Sequence, residues 1–293
     1  MLTPEGLAAQ FEQHRAHLRA VAYRMLGSAS EAEDAVQEGW IRLGRTDVSG
    51  VENLRAWLTT VVARVCLDML RTRTSRREDP LDTHVPDPLI ARADGDPEAD
   101  AVLADSVGLA LLVVLETLEP AERLAFVLHD VFGMTFDEIA PIVDRSPVAA
   151  RQLASRARRR VQGQAPAAET DRQEQRRVLN AFLAAARDGD FQGLVSVLDP
   201  DVVLRADAGA LAGMSRVVRG AGAVASQAVT FSKSGLATQI VLVNGSIGIV
   251  SRRPDGRVFS VLGFTVADGR IVEINILADP ERLGRLDWSA LES

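Results

Sequence analysis

Hydrogen-bonding side chains are concentrated in residues 146–161, SPVAARQLASRARRRV. Arginine and glutamine can each form two parallel hydrogen bonds with a base edge in the major groove of DNA. The polar residues with this capacity, or with a smaller hydroxyl, are Ser146, Arg151, Gln152, Ser155, Arg156 and Arg159. On a helix that begins at Pro147, the alanines and Val161 form an apolar stripe opposite them. The pattern favours DNA binding, although basic C-terminal turns also occur as solvated helix ends.

The segment before these residues predicts a second, shorter helix. Thr135 and Glu138 have the spacing of a capping box, in which each side chain satisfies a free amide at the helix start. Ser146 followed by Pro147 is a second helix start. A helix over 136–143, a connection at Asp144-Arg145 and a helix from Pro147 make a helix-turn-helix. Pro141 inside the first helix removes a backbone donor and is expected to bend or shorten it.

Acidic and polar side chains share one side of a predicted helix in SEAEDAVQEGWIRL, residues 30–43. They are Glu31, Asp34, Gln37 and Glu38, with Trp40 contributing apolar surface. Downstream, Asn53, Arg55 and Trp57 lie near the start of a long amphipathic helix, and Arg64 and Arg71 lie further along it. Taken alone, an acidic face is usually only solvated, and such a tryptophan belongs more often to a core than to a base-stacking surface.

Two carboxylates in the C-terminal part could serve a pocket or a docking surface. Asp207 follows the apolar run VVLRA, and a carboxylate in an apolar pocket can act as a base because its pKa rises. Asp279 lies in the segment ADPE. The strands supply no histidine or tyrosine as a partner, since all four histidines and Tyr23 precede residue 131. We therefore predict no catalytic residue, metal or cofactor, and a regulatory or ligand-sensing domain rather than an enzyme or a purely structural one.

The elements that position these residues change character along the chain. Apolar residues recur at helical spacing in 5–76 and again in 110–163, with a break between them. After one further helix, 178–187, the pattern changes to strands separated by Asn244-Gly245, Asp255-Gly256 and Asp268-Gly269, which favour hairpin turns. The predicted fold is multidomain: two all-α domains, the second with the helix-turn-helix, followed by an α+β domain.

Bulk properties limit the function classes. The net charge of −7 argues against a protein that coats nucleic acid through its overall charge. Residues 78–105 contain nine acidic residues, one arginine and four prolines, and they predict an acidic, extended linker. Cys66 is the single cysteine, so no internal disulfide can form. The absence of a long apolar run or a leader pattern predicts a cytoplasmic protein.

Residues 10–163 resemble bacterial sigma factors of the extracytoplasmic-function group, segment by segment and in order. DAVQEGWIRL is similar to the helix that grips the β′ coiled coil of RNA polymerase, which implies polymerase contacts by Glu31, Asp34, Gln37, Glu38 and Trp40. NLRAWLTTVVARVCLDMLRTR resembles the −10 reader, and the helix-turn-helix resembles the −35 reader. The resemblance thus implies core polymerase, through its β′ and β subunits, and promoter DNA as partners, with a linker that threads the polymerase near the RNA exit path.

Residues 174–293 resemble the SnoaL-like, cone-shaped NTF2 fold. A SigJ-type subgroup of these sigma factors carries such an extension, which implies control of activity in place of a separate anti-sigma factor. We expect this domain to dock on the sigma domains or on the linker. The motifs of that subgroup are present in altered form, at 207–210 and 278–281.

The resemblance sets the expected domain boundaries. They are 1–77 for the first domain, 78–105 for the linker, 106–163 for the helix-turn-helix domain, 164–173 for a second linker and 174–293 for the C-terminal domain. Two other interpretations stay open: an enzyme with a DNA-binding appendage, and an operator-binding repressor that uses only the helix-turn-helix. A repressor is expected to bind duplex DNA tightly by itself, whereas a sigma factor of this charge should need polymerase.

Overall fold

The computed structural model describes residues 4–46, 50–51, 53–76, 83–93, 108–164, 171–210 and 214–292. The chain is organised in two compact units, residues 1–79 with 114–164, and residues 80–113 with 165–293. The sequence predicted three folded units; in the structure, the two helical segments share the first unit. Of the two predicted linkers, residues 78–82, 94–105 and 165–170 lie outside the described residues.

The first helical segment consists of α1 (Pro4–Leu26), α2 (Ala29–Leu43) and α3 (Leu54–Arg76). Leu18, Leu43 and Leu58 are fully buried between the three helices, as their helical spacing predicts. Helices α2 and α3 lie so close that a Cβ atom added at Gly39 would be 2.9 Å from Val62 Cγ2. The packing therefore fixes which side of α2 faces outward.

The second helical segment contains α4 (Leu109–Glu116), α5 (Pro120–Phe126), a π-helical turn (Val127–Val131), α6 (Phe136–Val143) and α7 (Pro147–Gln164). The predicted capping box is confirmed: Thr135 Oγ1 accepts a hydrogen bond from the Glu138 amide, and the Glu138 carboxylate accepts one from the Thr135 amide. Helix α6 includes Pro141 and ends at Val143, where Asp144 turns into the left-handed region. The sequence did not predict the π-helical turn.

The C-terminal unit contains an α+β domain, as predicted. Its helices are α8 (Arg172–Asp188), α9 (Phe191–Val197), α10 (Ala221–Ser232), α11 (Pro280–Leu283) and α12 (Ser289–Glu292). Its strands are β1 (Ile90–Arg92), β2 (Leu198–Asp207), β3 (Arg216–Arg219), β4 (Ala237–Val243), β5 (Ser246–Arg252), β6 (Val258–Ala267) and β7 (Arg270–Leu277).

The described strands form one sheet in the order β1-β4-β5-β6-β7-β2-β3. Among these described strands, only the β2–β7 pair is parallel. Asn244 and Gly245 both have positive φ, 51° and 84°, as the predicted hairpin between β4 and β5 requires. Side chains of α8 and α10, among them Phe182 and Val224, share an apolar core with the strands.

Strand β1 comes from the predicted acidic linker. It pairs antiparallel with β4, with Ile90 opposite Val243 and Arg92 opposite Val241. The amide of Leu89 donates to Asn244 Oδ1, and the amide of Asn244 donates to the Leu89 carbonyl, at 3.0 and 2.8 Å. The described part of the linker is thus extended, as predicted, but it is also an ordered edge strand of the C-terminal sheet. This strand was not predicted, because three residues are too few to form a recognisable strand pattern.

Candidate polymerase and promoter interfaces

An exposed polar face runs along α2. Asp34 and Gln37 are exposed, Glu38 is half-buried, and Ile41 is 43% exposed although it is a large apolar residue. These four residues lie at helical positions i, i+3, i+4 and i+7, so they share one side of the helix. Arg42 Nε donates to Glu38 Oε1 at 2.8 Å. The face thus combines acidic groups with an uncovered apolar side chain.

Glu31 and Trp40 have contacts within the first unit. The Glu31 carboxylate accepts a hydrogen bond from Arg73 of α3. The Trp40 ring is half-buried, with its centroid 5.0 Å from that of Phe11 in α1. Both side chains therefore also help to hold α2 against its neighbours.

The predicted −10 residues at the start of α3 include one helix cap. Asn53 Oδ1 accepts from the Ala56 amide at 3.1 Å, so Asn53 caps the helix. Arg55 is exposed, with Nη2 3.1 Å from His17 Nδ1, and Trp57 is half-buried. The cationic and aromatic groups suited to single-strand capture thus occupy one end of α3.

Two further arginines of α3 are exposed. Arg71 lies 3.8 Å from Asp68 on the helix surface. Arg64 Nη2 donates to the carbonyl oxygen of Pro141 at 3.0 Å, which links α3 to the first helix of the helix-turn-helix. In this arrangement Arg64 is therefore engaged within the protein.

The predicted DNA-contacting residues at the start of α7 and along it are all exposed. Ser146 caps the helix by accepting from the Ala149 amide at 3.2 Å. Gln152, Ser155 and Arg159 are exposed on one side, opposite the predicted apolar stripe, whose alanines at 150, 154 and 157 are fully buried. Arg151 is exposed, with its guanidinium carbon 5.3 Å from the centre of the Phe136 ring.

Arg156 has a structural partner. Its Nε lies 2.7 Å from Oε1 of Glu122 in α5, and Arg160 Nη1 lies 3.3 Å from the other oxygen of the same carboxylate. The Glu122 side chain is 7% exposed, so these two arginines compensate a buried charge. Arg156 therefore fastens α7 to α5, in addition to any role on DNA.

A buried ionic network joins the two helical segments. Arg123 of α5 is 2% exposed; its Nη1 donates to Glu116 Oε1 at 3.0 Å, and its Nε donates to the Arg24 carbonyl of α1 at 3.2 Å. Arg73 Nη1 lies 3.8 Å from the same Glu116 oxygen, and Arg73 also binds Glu31. Four charged side chains from α2, α3, α4 and α5 are thus connected.

Asp207 lies at the centre of a second charged cluster, in the C-terminal unit. Its Oδ2 accepts from Arg282 Nη1 at 2.7 Å and from the Val85 amide at 3.0 Å, and it lies 3.2 Å from His84 Nδ1. Burial alone would raise the pKa of Asp207, but the hydrogen bonds from His84 and Val85 and the charge of Arg282 outweigh it and lower the pKa to about 2. A carboxylate with this pKa is a weak base, unlike the base of a proton-transfer enzyme.

Arg282 contacts the linker directly. Its Nε donates to Asp87 Oδ1 at 2.7 Å, and its Nη2 donates to the Val85 carbonyl at 2.5 Å. We call Asp207 and Arg282 the clamp, because together they bind residues 84–87 by side chain and backbone. The second predicted carboxylate, Asp279, caps α11, which carries Arg282. An added Cβ at Gly209 would lie 2.2 Å from Asp279 Oδ2, so the two predicted motifs meet in space.

The C-terminal unit also encloses a cavity of about 620 Å³. It lies between α8, α10 and the sheet face that these helices cover. Ala206 and Ala208 line it, whereas Asp207 between them does not. The clamp and the cavity are thus separate sites that share strand β2.

Neither a metal cluster nor a reactive thiol accompanies these sites in the part of the chain that the structure describes. No group of three or more histidine, cysteine, aspartate or glutamate side chains there could hold a metal ion. Cys66 is fully buried in α3, and burial raises the pKa of its thiol to about 12. No helix among the described residues is long and apolar enough to cross a membrane.

Sequence reasoning did not identify several residues that carry these contacts. The sequence pattern does not distinguish Arg73, Arg123 and Glu116 from other helix residues, because their ionic partners come from other helices. Nor does it show that His84, in the predicted linker, and Arg282, near the C-terminus, both contact Asp207. The proximity of Arg282 to the Asp279 motif was the one available signal.

Comparison with known proteins agrees with the geometry. The family model Sigma-70 region 2 matches residues 10–76, and the model Sigma-70, region 4 matches residues 108–161. The ECF RNA polymerase sigma factor SigJ of Mycobacterium tuberculosis H37Rv is 38% identical, with 94% of this chain and 92% of that protein covered. The probable sigma factor SigI of the same strain is 35% identical, with 96% of each covered.

The crystal structure of Mycobacterium tuberculosis SigJ has a similar architecture. It superposes with a TM-score of 0.74 at 36% identity and covers 94% of this chain and 98% of that one. This chain therefore belongs to the extracytoplasmic-function (ECF) sigma factors of RNA polymerase. Its function is to direct transcription initiation by binding RNA polymerase and promoter DNA, and it is not an enzyme. The family and fold class predicted from the sequence are confirmed.

Proposed function

We propose that three surfaces of the helical unit make the contacts with polymerase and promoter DNA that transcription initiation requires. The face of Asp34, Gln37 and Glu38 binds the β′ coiled coil of core polymerase, with Ile41 as its apolar centre. The start of α3, with Arg55 and Trp57, captures the unpaired −10 strand. Further along the helix, Arg64 and Arg71 contact the DNA. The exposed side of α7 reads the −35 element. The exposure and residue types of these surfaces support this assignment.

The helical unit has to open for this function. Promoter elements centred near −10 and −35 lie roughly 85 Å apart along duplex DNA, at 3.4 Å per base pair. The two helical segments that read them share one compact unit, joined by Arg123, Glu116 and Arg73. We infer that these contacts break when polymerase and promoter bind.

The C-terminal domain controls this step through the linker. Residues 84–92, which in the family thread the polymerase, are bound here by the clamp and by strand β4. The same residues cannot be in both places, so the sheet competes with polymerase for the linker. The hydrogen bonds of Asp207 and Arg282 to Val85 carry this proposal. Docking of the C-terminal domain on the sigma domains, contact with the β subunit and action in the cytoplasm belong to the same proposal.

Run-off transcription with purified core polymerase, on a promoter selected from genomic DNA, tests the proposal. The Arg282→Gln variant, in which the clamp is weakened, should give more transcript than the unmodified chain. Arg285→Gln is the matched control, because Arg285 is exposed on the same terminal segment and only faces Glu281 at 3.7 Å. Equal transcript from all three proteins would contradict control through the linker, while promoter-specific transcript from any of them supports the sigma function.

A point variant is a sharper test than truncation near Gly163. Truncation removes the sheet that covers Val85 and Leu109, both buried in the C-terminal unit. The fragment would expose this apolar surface, and loss of activity could then reflect aggregation.

The repressor alternative makes a different prediction. A repressor binds its duplex operator tightly without polymerase. Gel-shift measurements with the selected promoter, with and without core polymerase, separate the two. Tight binding by the chain alone would favour the repressor.

A further inference from the structure

The cavity of the C-terminal unit has the size of a small-molecule site. Its volume of about 620 Å³ lies within the usual range for such sites, roughly 300–1,000 Å³. Buried apolar side chains form much of its wall, among them Phe182, Leu204, Ile249, Phe264 and Ile274. Transfer of an apolar molecule from water into this space would therefore be favourable.

A row of hydroxyl groups crosses one side of the wall. Thr238, Ser251 and Ser260 occupy directly paired positions on β4, β5 and β6, and all three line the cavity. Ser251 and Ser260 are each 1% exposed. Their Oγ atoms have no hydrogen-bond partner among the described residues. Buried hydroxyls are normally hydrogen-bonded, so this pair has unused hydrogen-bonding capacity at the cavity wall.

The charged groups of the cavity wall have one sign. Arg187, at the end of α8, and Arg216, at the start of β3, line the cavity and are exposed. No aspartate or glutamate is among the described residues that line it. Neither arginine forms an ion pair or a side-chain hydrogen bond with any residue that the structure describes. Two free guanidinium groups beside an apolar space suit a carboxylate.

We propose that this cavity binds an amphipathic organic acid. Its carboxylate is held by Arg187 and Arg216, its apolar body fills the space between α8, α10 and the sheet, and an oxygen on that body accepts or donates a hydrogen bond at Ser251 and Ser260. The site binds such a molecule whether or not the linker control proposed above holds.

Calorimetric titration of the full chain with three probes of equal chain length tests the charge preference. The probes are dodecanoate, dodecanol and dodecyltrimethylammonium; the two ions are kept below their micelle concentrations and dodecanol below its solubility limit. Dodecanoate should bind at least about tenfold more tightly than dodecanol, and the cation should bind most weakly. The Arg187→Gln/Arg216→Gln variant should lose the preference for dodecanoate. Arg219→Gln, on the same strand as Arg216 but not lining the cavity, should keep it.

The hydroxyl pair is tested with 12-hydroxydodecanoate. It should bind more tightly than dodecanoate to the unmodified chain, and the Ser251→Ala/Ser260→Ala variant should lose that difference. Ala228→Phe fills the cavity and should abolish binding of every probe. Leu236→Trp serves the same purpose if circular dichroism shows that Ala228→Phe is unfolded. Equal affinity for anion and cation, or unchanged binding by a folded cavity-filled variant, overturns the proposal.

Discussion

Arg282 and Asp207 form a 2.7 Å ion pair that binds a segment more than a hundred residues earlier in the chain. Both side chains also contact the backbone of Val85, one through its amide and the other through its carbonyl. The linker is thus held by a pair of charges that compensate each other in a buried place. This arrangement leads to the first two predictions.

The Arg282→Gln substitution should make the linker accessible to protease. Trypsin cleaves after arginine, and Arg92 lies in β1, paired with Val241. Cleavage needs the strand to leave the sheet, so its rate reports the local opening free energy. Loss of the ion pair should accelerate cleavage after Arg92 by about tenfold or more, equivalent to about 1.4 kcal/mol or more. Arg285→Gln should be cleaved at the normal rate; equal rates for both variants would show that the clamp does not hold β1.

The contribution of Asp207 to the free energy of unfolding should be lost at acid pH. Because its pKa in the folded protein is lowered from 3.8 to about 2, the carboxylate stabilises the fold fully above the unfolded value and loses this effect as the pH falls towards 2. The effect is on the order of 1–2 kcal/mol. Urea unfolding of the unmodified chain and Asp207→Asn should differ by a constant amount near neutral pH and converge between about pH 4 and 2. A difference that grows on acidification would contradict this assignment.

Arg156 and Arg159 should have separable roles. Arg159→Ala should weaken binding at the −35 element by about 1–3 kcal/mol if it contacts a base, with little change in stability. Arg156→Ala should also lower the free energy of unfolding, because Glu122 loses one of its two partners. Fluorescence anisotropy with the polymerase complex and urea unfolding measure the two effects. An unchanged free energy of unfolding for Arg156→Ala would show that the ion pair with Glu122 does not stabilise the fold, and would leave Arg156 with a role on DNA alone.

Arg123 should be essential for the stability of the helical unit. Arg123→Met removes the partner that lies 3.0 Å from the buried Glu116 carboxylate, and should cost about 3–5 kcal/mol of unfolding free energy. Adding Glu116→Leu removes the buried carboxylate that has lost this partner and should restore a large part of the loss. Arg42→Ala, at an exposed ion pair on α2, should cost less than about 1 kcal/mol. A double variant no more stable than Arg123→Met would show that packing, not charge, limits stability.

Gly209→Ala should disturb the clamp, since the Gly209 amide donates to Asp207 Oδ1 at 3.1 Å. Gly209 has a φ of 58°, which a side chain tolerates poorly, and its Cβ would meet the Asp279 carboxylate. Because Asp279 caps the helix that carries Arg282, the displacement should reach the clamp. We expect a loss of about 1–3 kcal/mol and faster tryptic cleavage after Arg92. Gly256→Ala is the control: its φ is also positive, but an added Cβ meets nothing within 4 Å.

Local patterns predicted the fold where each element is defined by its own residues. The capping box at Thr135 and the hairpin at Asn244 were confirmed, because adjacent residues determine them. Strand β1 and the ionic partners of Arg123 and Asp207 could not be predicted, since they depend on which distant segments meet. The predicted site residues of α2, α3 and α7 lie on the predicted helices, but the sequence did not predict the contacts that several of them make with other helices, such as those of Glu31, Arg64 and Arg156. Their functional roles stay predictions.

If the C-terminal sheet controls the linker as proposed, the pairing of β1 with β4 also determines how a signal acts on this protein. Strand and sheet belong to one polypeptide, so their association is unimolecular, and its equilibrium does not change with the amount of protein. A separate inhibitor can be outnumbered by its target or degraded, whereas an inhibitory domain in the same chain is present in a fixed ratio of one to one. A stimulus therefore has to shift the internal equilibrium of each molecule, and the response is set by the affinity of the stimulus rather than by the relative expression of two genes.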